Sequence, residues 1–278
     1  MTLRTFLVGA LAAIVTALPS APGHAQTATT AAAPISAATV VRAAERVYAQ
    51  DLQAAMARGA LDSSARHGSI IRGAAQPIVS GASSLYPEAA HWSWAVAVET
   101  RDEPVAYCLP GGKILVSTGL VDRTGLTPVE LSAVLAHAVA HAISGDDANA
   151  AVSHLVREGH AANADPNRTL LYLTEALAKV IREVPHSVEE ERAADTRTLE
   201  LMARLGLDPR PAVDAWRKIV RAGGATPPGF LALHPPWRER IGEIEAQMPA
   251  MVALYETALR ERPPPPTVNT PRRTPRQR

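Results

Sequence analysis

A histidine pair, His137 and His141 in the run His-Ala-Val-Ala-His, sets the narrowest limit on the fold of this 278-residue chain. Side chains four residues apart lie on the same face of an α-helix, so both imidazoles can reach one cation. By itself the pair is weak evidence for a metal site, because two such histidines are often solvated or packed in a core. The spacing therefore suggests a metal-binding helix, and this hypothesis needs support from the surrounding residues.

The helix that carries the pair has clear end signals. Thr127 and Glu130 form a capping box with Pro128 at the first helical position, and Gly145 marks the end. A second capping box, Ser187 with Glu190, predicts a helix to about residue 205. Both helices are thus predicted from local signals alone.

The remaining periodicity predicts an α+β fold that is predominantly helical, with a small β-sheet beside the histidine helix. Helices are expected over residues 38–60, 67–82, 167–183, 209–221 and 236–260, and strands within 91–99, 105–109 and 113–118. The helix over 167–183 is amphipathic, which favours a core helix over a lid.

The ends of the chain differ from its middle. Residues 1–26 have an apolar run and a small-residue cleavage site, typical of a signal peptide, and residues 27–40 suit a flexible linker. Residues 41–262 form the predicted domain, and residues 263–278, rich in proline and arginine, suit a disordered tail. We expect a periplasmic or secreted protein with no transmembrane segment in the mature chain; an uncleaved anchor is the alternative.

Composition excludes some functions. The formal net charge is only +1, so no global field favours nucleic acid. The single cysteine, Cys108, allows no internal disulfide and predicts a buried, inert thiol.

A hydrolytic zinc site needs three protein ligands and an open position. Glu191 is the candidate third ligand, because it lies on the second capped helix. Asp195, four residues later on the same face, can support a ligand by a hydrogen bond. Glu189 and Glu190 offer further carboxylates nearby.

Four segments together resemble zinc metallopeptidases of the HtpX and CAAX-prenyl-protease kind, particularly their small exported bacterial members. They are residues 106–114 with 118–120, the helix 130–141 apart from position 138, Ser187 with the run Glu191-Arg192-Ala193-Ala194-Asp195, and His234-Pro235 with Arg240-Ile241. The resemblance implies a gluzincin-type domain with one Zn²⁺ ion on His137, His141 and Glu191. It also implies that His234 steadies the oxyanion, a histidine that caps the last helix being the alternative.

In these relatives a substrate peptide pairs in extended form with an edge strand before the active helix. The resemblance therefore predicts residues 113–118 as the edge strand and an extended or unfolded polypeptide as the partner. The oligomeric state is left open.

The sequence departs from the family at three positions. Ala138 stands where the glutamate of H-E-x-x-H acts as general base, Val105 replaces an asparagine, and Asp146 lies where many relatives have histidine. Loss of a general base commonly costs about 10²–10⁴ in rate. Because the retained signal peptide and Val105 are unusual for an engineered inactive enzyme, natural divergence is favoured.

Three functions follow. The favoured hypothesis is an exported zinc protein that binds extended polypeptide and hydrolyses it weakly or not at all, in protein quality control. The second is an active metalloendopeptidase with a substitute base, for which Glu189, Glu190 and Asp146 are candidates. The third is a structural protein without metal, in which the histidines are packing residues.

Overall fold

The computed structural model describes residues 35–161, 163, 165–223, 233–234 and 237–261. The predicted signal peptide, the predicted tail and the first part of the predicted linker lie outside these residues. The described elements, in chain order, are α1 Ala37–Ala57, α2 Ala65–Leu85, β1 Ala95–Glu99, β2 Ala106–Leu109, β3 Lys113–Ser117, α3 Thr118–Thr124, α4 Pro128–Ser144, α5 Asp146–Arg157, α6 Pro166–Glu183, α7 Val188–Arg204, α8 Pro211–Gly223 and α9 Trp237–Glu261.

The predicted fold class is confirmed: the described chain is mainly helical and has a three-stranded sheet. Both capping boxes form, since the Thr127 and Ser187 side chains accept from the N3 backbone amides and the N3 glutamates bond back. Helix α1 begins at Ala37, capped by Ser36, so its first turn lies within the range expected to be linker.

The sequence patterns predict neither α3 nor α5, and residue 118, which begins α3, lies within a predicted strand. Helix α3 has only seven residues. Helix α5 follows α4 after a single residue, because Gly145 has a φ of 76° that ends α4 and leads directly into α5. This tight turn brings the first residues of α5 back toward the end of α4.

The sheet separates two hydrophobic clusters. Ile114 and Val116 of β3 pack into the cluster formed with α2, α4, α7 and α8, whereas Leu115 packs into the cluster formed with α1 and α6. Alternate residues of a strand point to opposite faces, so β3 is covered on both sides and all five of its residues are buried.

The prediction that residues 113–118 form an edge strand is wrong. The strand order is β1-β3-β2, with β1 parallel and β2 antiparallel to β3, so residues 113–117 form the central strand. Residue 118, the last of the predicted edge, begins α3. Strands β1 and β2 therefore form the two edges of the sheet. The edge strand that packs beside α4 is β2.

Helix α6 is a core helix, as its pattern predicts. Leu170, Leu173 and Leu177 are buried against α1 and α5. No helix among the described residues has the length and hydrophobicity needed to cross a bilayer. Cys108 is buried, and burial raises the pKa of its thiol.

Candidate metal centre

Helices α4 and α7 pack against each other at the centre of the domain and bring the predicted ligands together. His137, His141 and Glu191 are buried, and the Nε2 atoms of the two histidines are 3.1 Å apart. Glu191 Oε2 lies 3.4 Å from His137 Nε2, and Glu191 Oε1 lies 3.7 Å from His141 Nε2. For ligand bonds of about 2.1 Å, a tetrahedral zinc site needs donor atoms about 3.4 Å apart. The three distances bracket this value.

The far side of each histidine ring faces a carboxylate. Asp146 Oδ2 accepts from His141 Nδ1 at 2.7 Å, and Asp195 Oδ1 lies 3.2 Å from His137 Nδ1. In a neutral ring, a proton held at Nδ1 by such a carboxylate leaves Nε2 with its lone pair. Two Nε2 atoms 3.1 Å apart must share a proton or a bound cation, so the donor set fits a metal ion.

Asp195 lies beside His137 within a buried network that the sequence patterns did not reveal, and its role in holding a ligand stays a prediction. Arg240 of α9 donates to Asp195 with two nitrogen atoms, at 2.8 and 2.7 Å, and also contacts Glu191 Oε2. Burial raises the pKa of Asp195, but His137 and Arg240 outweigh it and the pKa lies below its usual value. The carboxylate is therefore ionised.

His234 lies at the same cluster, and its Nδ1 is 2.6 Å from Glu191 Oε1. Together with His137, His141 and Glu191 it forms a buried group whose ligand atoms all lie within 4.8 Å of one another. Burial lowers the pKa of His234 to about 4 despite the attraction of Glu191. Its place beside the ligands agrees with the predicted position, and its role stays a prediction.

His186 is a site residue that the sequence analysis missed. It precedes α7, and its ring stacks on His141 with centroids 3.9 Å apart and planes at 10°. Its Nε2 donates to Asp147 Oδ1 at 3.1 Å, and its Nδ1 lies 3.3 Å from Glu191 Oε1. Burial lowers the pKa of His186, but Asp147 and Glu191 outweigh it and raise the pKa to about 10.

The charge of Glu191 follows from these neighbours. Burial raises the pKa of its carboxyl, but His234, His137 and His186 outweigh burial and hold the pKa well below the usual range. Glu191 is therefore an anionic donor at neutral pH, as metal coordination requires. Burial, followed by repulsion from His137, lowers the pKa of His141, so His141 is a neutral donor.

A cavity of about 380 Å³ opens beside the cluster. Ala138, His141 and His234 form one part of its wall, and residues 105–108, from the edge strand β2 and the position before it, form another. The methyl group of Ala138 stands where the predicted general base would be. The cavity thus places an extended surface next to the metal cluster.

Carboxylates in the cavity wall are all engaged. Asp51 accepts from Tyr107 and Arg182, Glu99 pairs with Arg58, Glu103 with Arg101, and Asp147 with His186. The residues outside the described ranges contain no Asp or Glu, so every carboxyl side chain of the protein is described.

The three candidate substitute bases do not line this cavity. Asp146 bonds His141, Glu190 caps α7, and Glu189 is exposed. Burial, together with Glu190, raises the pKa of Asp146 to about 7, but its oxygen remains directed at His141.

A model of peptidase family M48 matches residues 76–248, which include the whole cluster. This match covers more than half of the chain. The chain belongs to peptidase family M48. M48 proteins are zinc metallopeptidases, so the predicted cofactor, one zinc ion, agrees with both the family and the donor set.

Three curated relatives carry the description mitochondrial metalloendopeptidase OMA1. The chain is 31% identical to the Arabidopsis thaliana protein over 156 aligned residues. The alignment covers 53% of this chain and 30% of the relative. It is 30% identical over 187 residues to the Schizosaccharomyces pombe protein (65% and 52%) and 24% identical over 182 residues to the Saccharomyces cerevisiae protein (59% and 49%). The chain therefore matches about half or less of the length of each relative.

Proposed function

We propose that this M48 protein binds extended or unfolded polypeptide beside a zinc ion and hydrolyses it weakly or not at all. Within the family we place it with the small exported members of the HtpX and CAAX-prenyl-protease kind, acting in protein quality control in the periplasm or outside the cell after removal of residues 1–26. The observation that carries the proposal is a complete donor set next to Ala138, with every carboxylate in the cavity wall already paired.

His137, His141 and Glu191 would hold the zinc ion, and Asp195 would fix the proton on His137 Nδ1. When bound, zinc acts as a Lewis acid toward a peptide carbonyl. By the family resemblance His234 would steady the negative charge that develops on the carbonyl oxygen. Because its low pKa leaves the ring one N–H, and Nδ1 lies 2.6 Å from Glu191 Oε1, this N–H would have to turn from Glu191 to that oxygen. These residues suffice to bind and orient a peptide group.

Among the described residues, no side chain is in place to transfer the proton during hydrolysis, because position 138 is an alanine. Peptide hydrolysis requires an acceptor for a proton of the attacking water and a donor for the leaving nitrogen, and Ala138 can be neither. The expected loss is about 10²–10⁴ in rate, or about 3–5 kcal/mol in the barrier. Binding of the polypeptide does not need this group.

The edge strand β2 supports an extended ligand. Residues 106–108 of β2 and Val105 line the cavity, and an edge strand offers backbone groups to a peptide that adds as a further strand. Recognition through main-chain hydrogen bonds has little sequence preference, which suits unfolded polypeptide.

The proposal is tested with the mature protein and unfolded casein. We expect casein to bind, zinc to be present, and little cleavage to occur; Ala138→Glu should then raise cleavage about 10²–10⁴-fold. The double variant Ala138→Glu with His141→Ala is the control and should be inactive. Strong, chelator-sensitive cleavage by the unmodified protein would show that another base operates.

Binding is tested separately with a casein-derived peptide and its backbone N-methylated counterpart. N-methylation removes amide donors and should weaken binding, because strand addition depends on them. Equal affinity of the two peptides would contradict binding at β2.

A further inference from the structure

Two consecutive aspartates hold two stacked imidazoles at the metal centre. Asp146 accepts from His141, and Asp147 accepts from His186, whose ring lies on the face of the His141 ring. Both aspartates are buried in the first turn of α5, where the helix dipole favours negative charge. The turn at Gly145 places them there.

His186 is not a ligand of the same ion as His141. A nitrogen donates its lone pair in the plane of its ring, and the two rings are nearly parallel with centroids 3.9 Å apart. An ion in the plane of His141 therefore lies well outside the plane of His186. The remaining role is to hold ligands in place.

We propose that the Asp147–His186 pair positions Glu191 and His141 for metal binding. His186 spans the two carboxylates, with Nε2 at Asp147 and Nδ1 3.3 Å from Glu191 Oε1, while its face restricts rotation of the His141 ring. Neither residue belongs to the predicted ligand set, and His186 comes from the segment just before the Ser187 cap of α7.

His186 contacts two proposed ligands that come from different helices, His141 of α4 and Glu191 of α7. Its other partner, Asp147, belongs to α5, which directly follows α4. The pair thus connects the end of α4 to the start of α7 across the cluster. Residues that orient metal ligands in this way typically change metal affinity 10–100-fold when replaced.

This inference rests on the zinc site of the proposed function and is tested by the zinc dissociation constant of the mature protein, measured by competition with a chromophoric chelator and without substrate. We expect His186→Phe, which keeps a ring to stack but loses both polar contacts, and Asp147→Asn, which keeps the shape, to weaken zinc binding about 10–100-fold. His186→Gln, which retains a polar end, should recover part of the loss.

The matched control is His160→Phe, because His160 also stacks on an aromatic ring, that of Tyr172, at 4.1 Å. It should leave the zinc dissociation constant within about twofold, as expected for a residue outside the centre. The unfolding midpoint of the metal-free protein is measured for every variant. A purely structural role would lower that midpoint and leave zinc affinity unchanged, and this result overturns the inference.

Failure of the inference and failure of the proposed function give different results. If His141→Ala abolishes zinc binding while the Asp147 and His186 variants bind zinc normally, only the positioning role is wrong. If His141→Ala leaves zinc binding unchanged, the zinc site itself is wrong. Should His186→Phe fail to fold, Asp147→Asn and His186→Gln decide the question.

Discussion

His137 and His141 present their Nε2 atoms to each other at 3.1 Å inside a buried cluster. The neighbouring carboxylates Asp195 and Asp146 occupy the Nδ1 sides of the rings, at 3.2 and 2.7 Å. Both rings therefore direct their Nε2 atoms toward one point. The candidate metal centre has a set of possible donors in place, although Ala138 stands at the position predicted for the general base.

Removal of the metal should destabilise the protein. A ligand that binds only the folded state adds about 2.7 kcal/mol when its concentration is 100 times the dissociation constant. We expect a lower thermal unfolding midpoint in chelator than in zinc, measured by circular dichroism. His141→Ala should show no such difference. Equal midpoints of the unmodified protein in zinc and in chelator would contradict a zinc site.

Replacement of Arg240 should be costly. Its guanidinium is buried between Asp195 and Glu191, so Arg240→Ala leaves two buried carboxylates without this cation. We expect the free energy of unfolding to fall by about 3–5 kcal/mol in urea denaturation. Arg210→Ala is the control, because Arg210 pairs with Asp208 at the surface, where an ion pair contributes about 0–1 kcal/mol. Similar losses for both variants would show that burial of Arg240 is unimportant.

Alanine substitutions at Gly112 and Gly59 should distinguish the cost of backbone strain from the cost of side-chain crowding. Both have positive φ, 79° and 62°, but a Cβ at Gly112 would lie 2.7 Å from the Trp94 ring, whereas a Cβ at Gly59 meets nothing within 4 Å. Gly59→Ala should cost about 1–2 kcal/mol from the left-handed backbone. Gly112→Ala should cost about 1–3 kcal/mol more, from overpacking. Equal costs in chemical denaturation would mean that the Trp94 ring moves aside freely.

The capping box of α4 should contribute measurably to stability. Thr127→Ala removes the side chain that accepts from the Glu130 amide, and we expect a loss of about 0.5–2 kcal/mol in the free energy of unfolding. Thr257→Ala is the control, because Thr257 is only partly buried and its hydroxyl bonds only within its own helix, to Ala253 and Arg260. That change should stay within about 0.5 kcal/mol. No difference between the two threonines would show that the cap is dispensable.

Local sequence patterns are sufficient to predict part of the candidate site. The capping boxes at Thr127 and Ser187 and the turn at Gly145 are set by residues within one helical turn of each other, and so is the shared face of His137 and His141. Glu191 became a candidate from its place on the second capped helix, and the resemblance to a family supported it. His234 came from the resemblance alone, because no local rule connects it to residues about 100 positions earlier. The structure brings both to the cluster.

Relationships between distant segments depend on how the strands pair and the helices pack. Residues 113–117 form the central strand because β1 pairs with β3 across a connection, and strand order is not written in the alternation of any one strand. Asp147 and His186 are 39 residues apart, and each alone is an ordinary polar residue near a helix start. They meet because α5 folds back at Gly145 while α7 packs on α4. Strand pairing and helix packing between distant segments, rather than local secondary-structure preference, therefore decide which strand is the edge and which residues surround the candidate ligands.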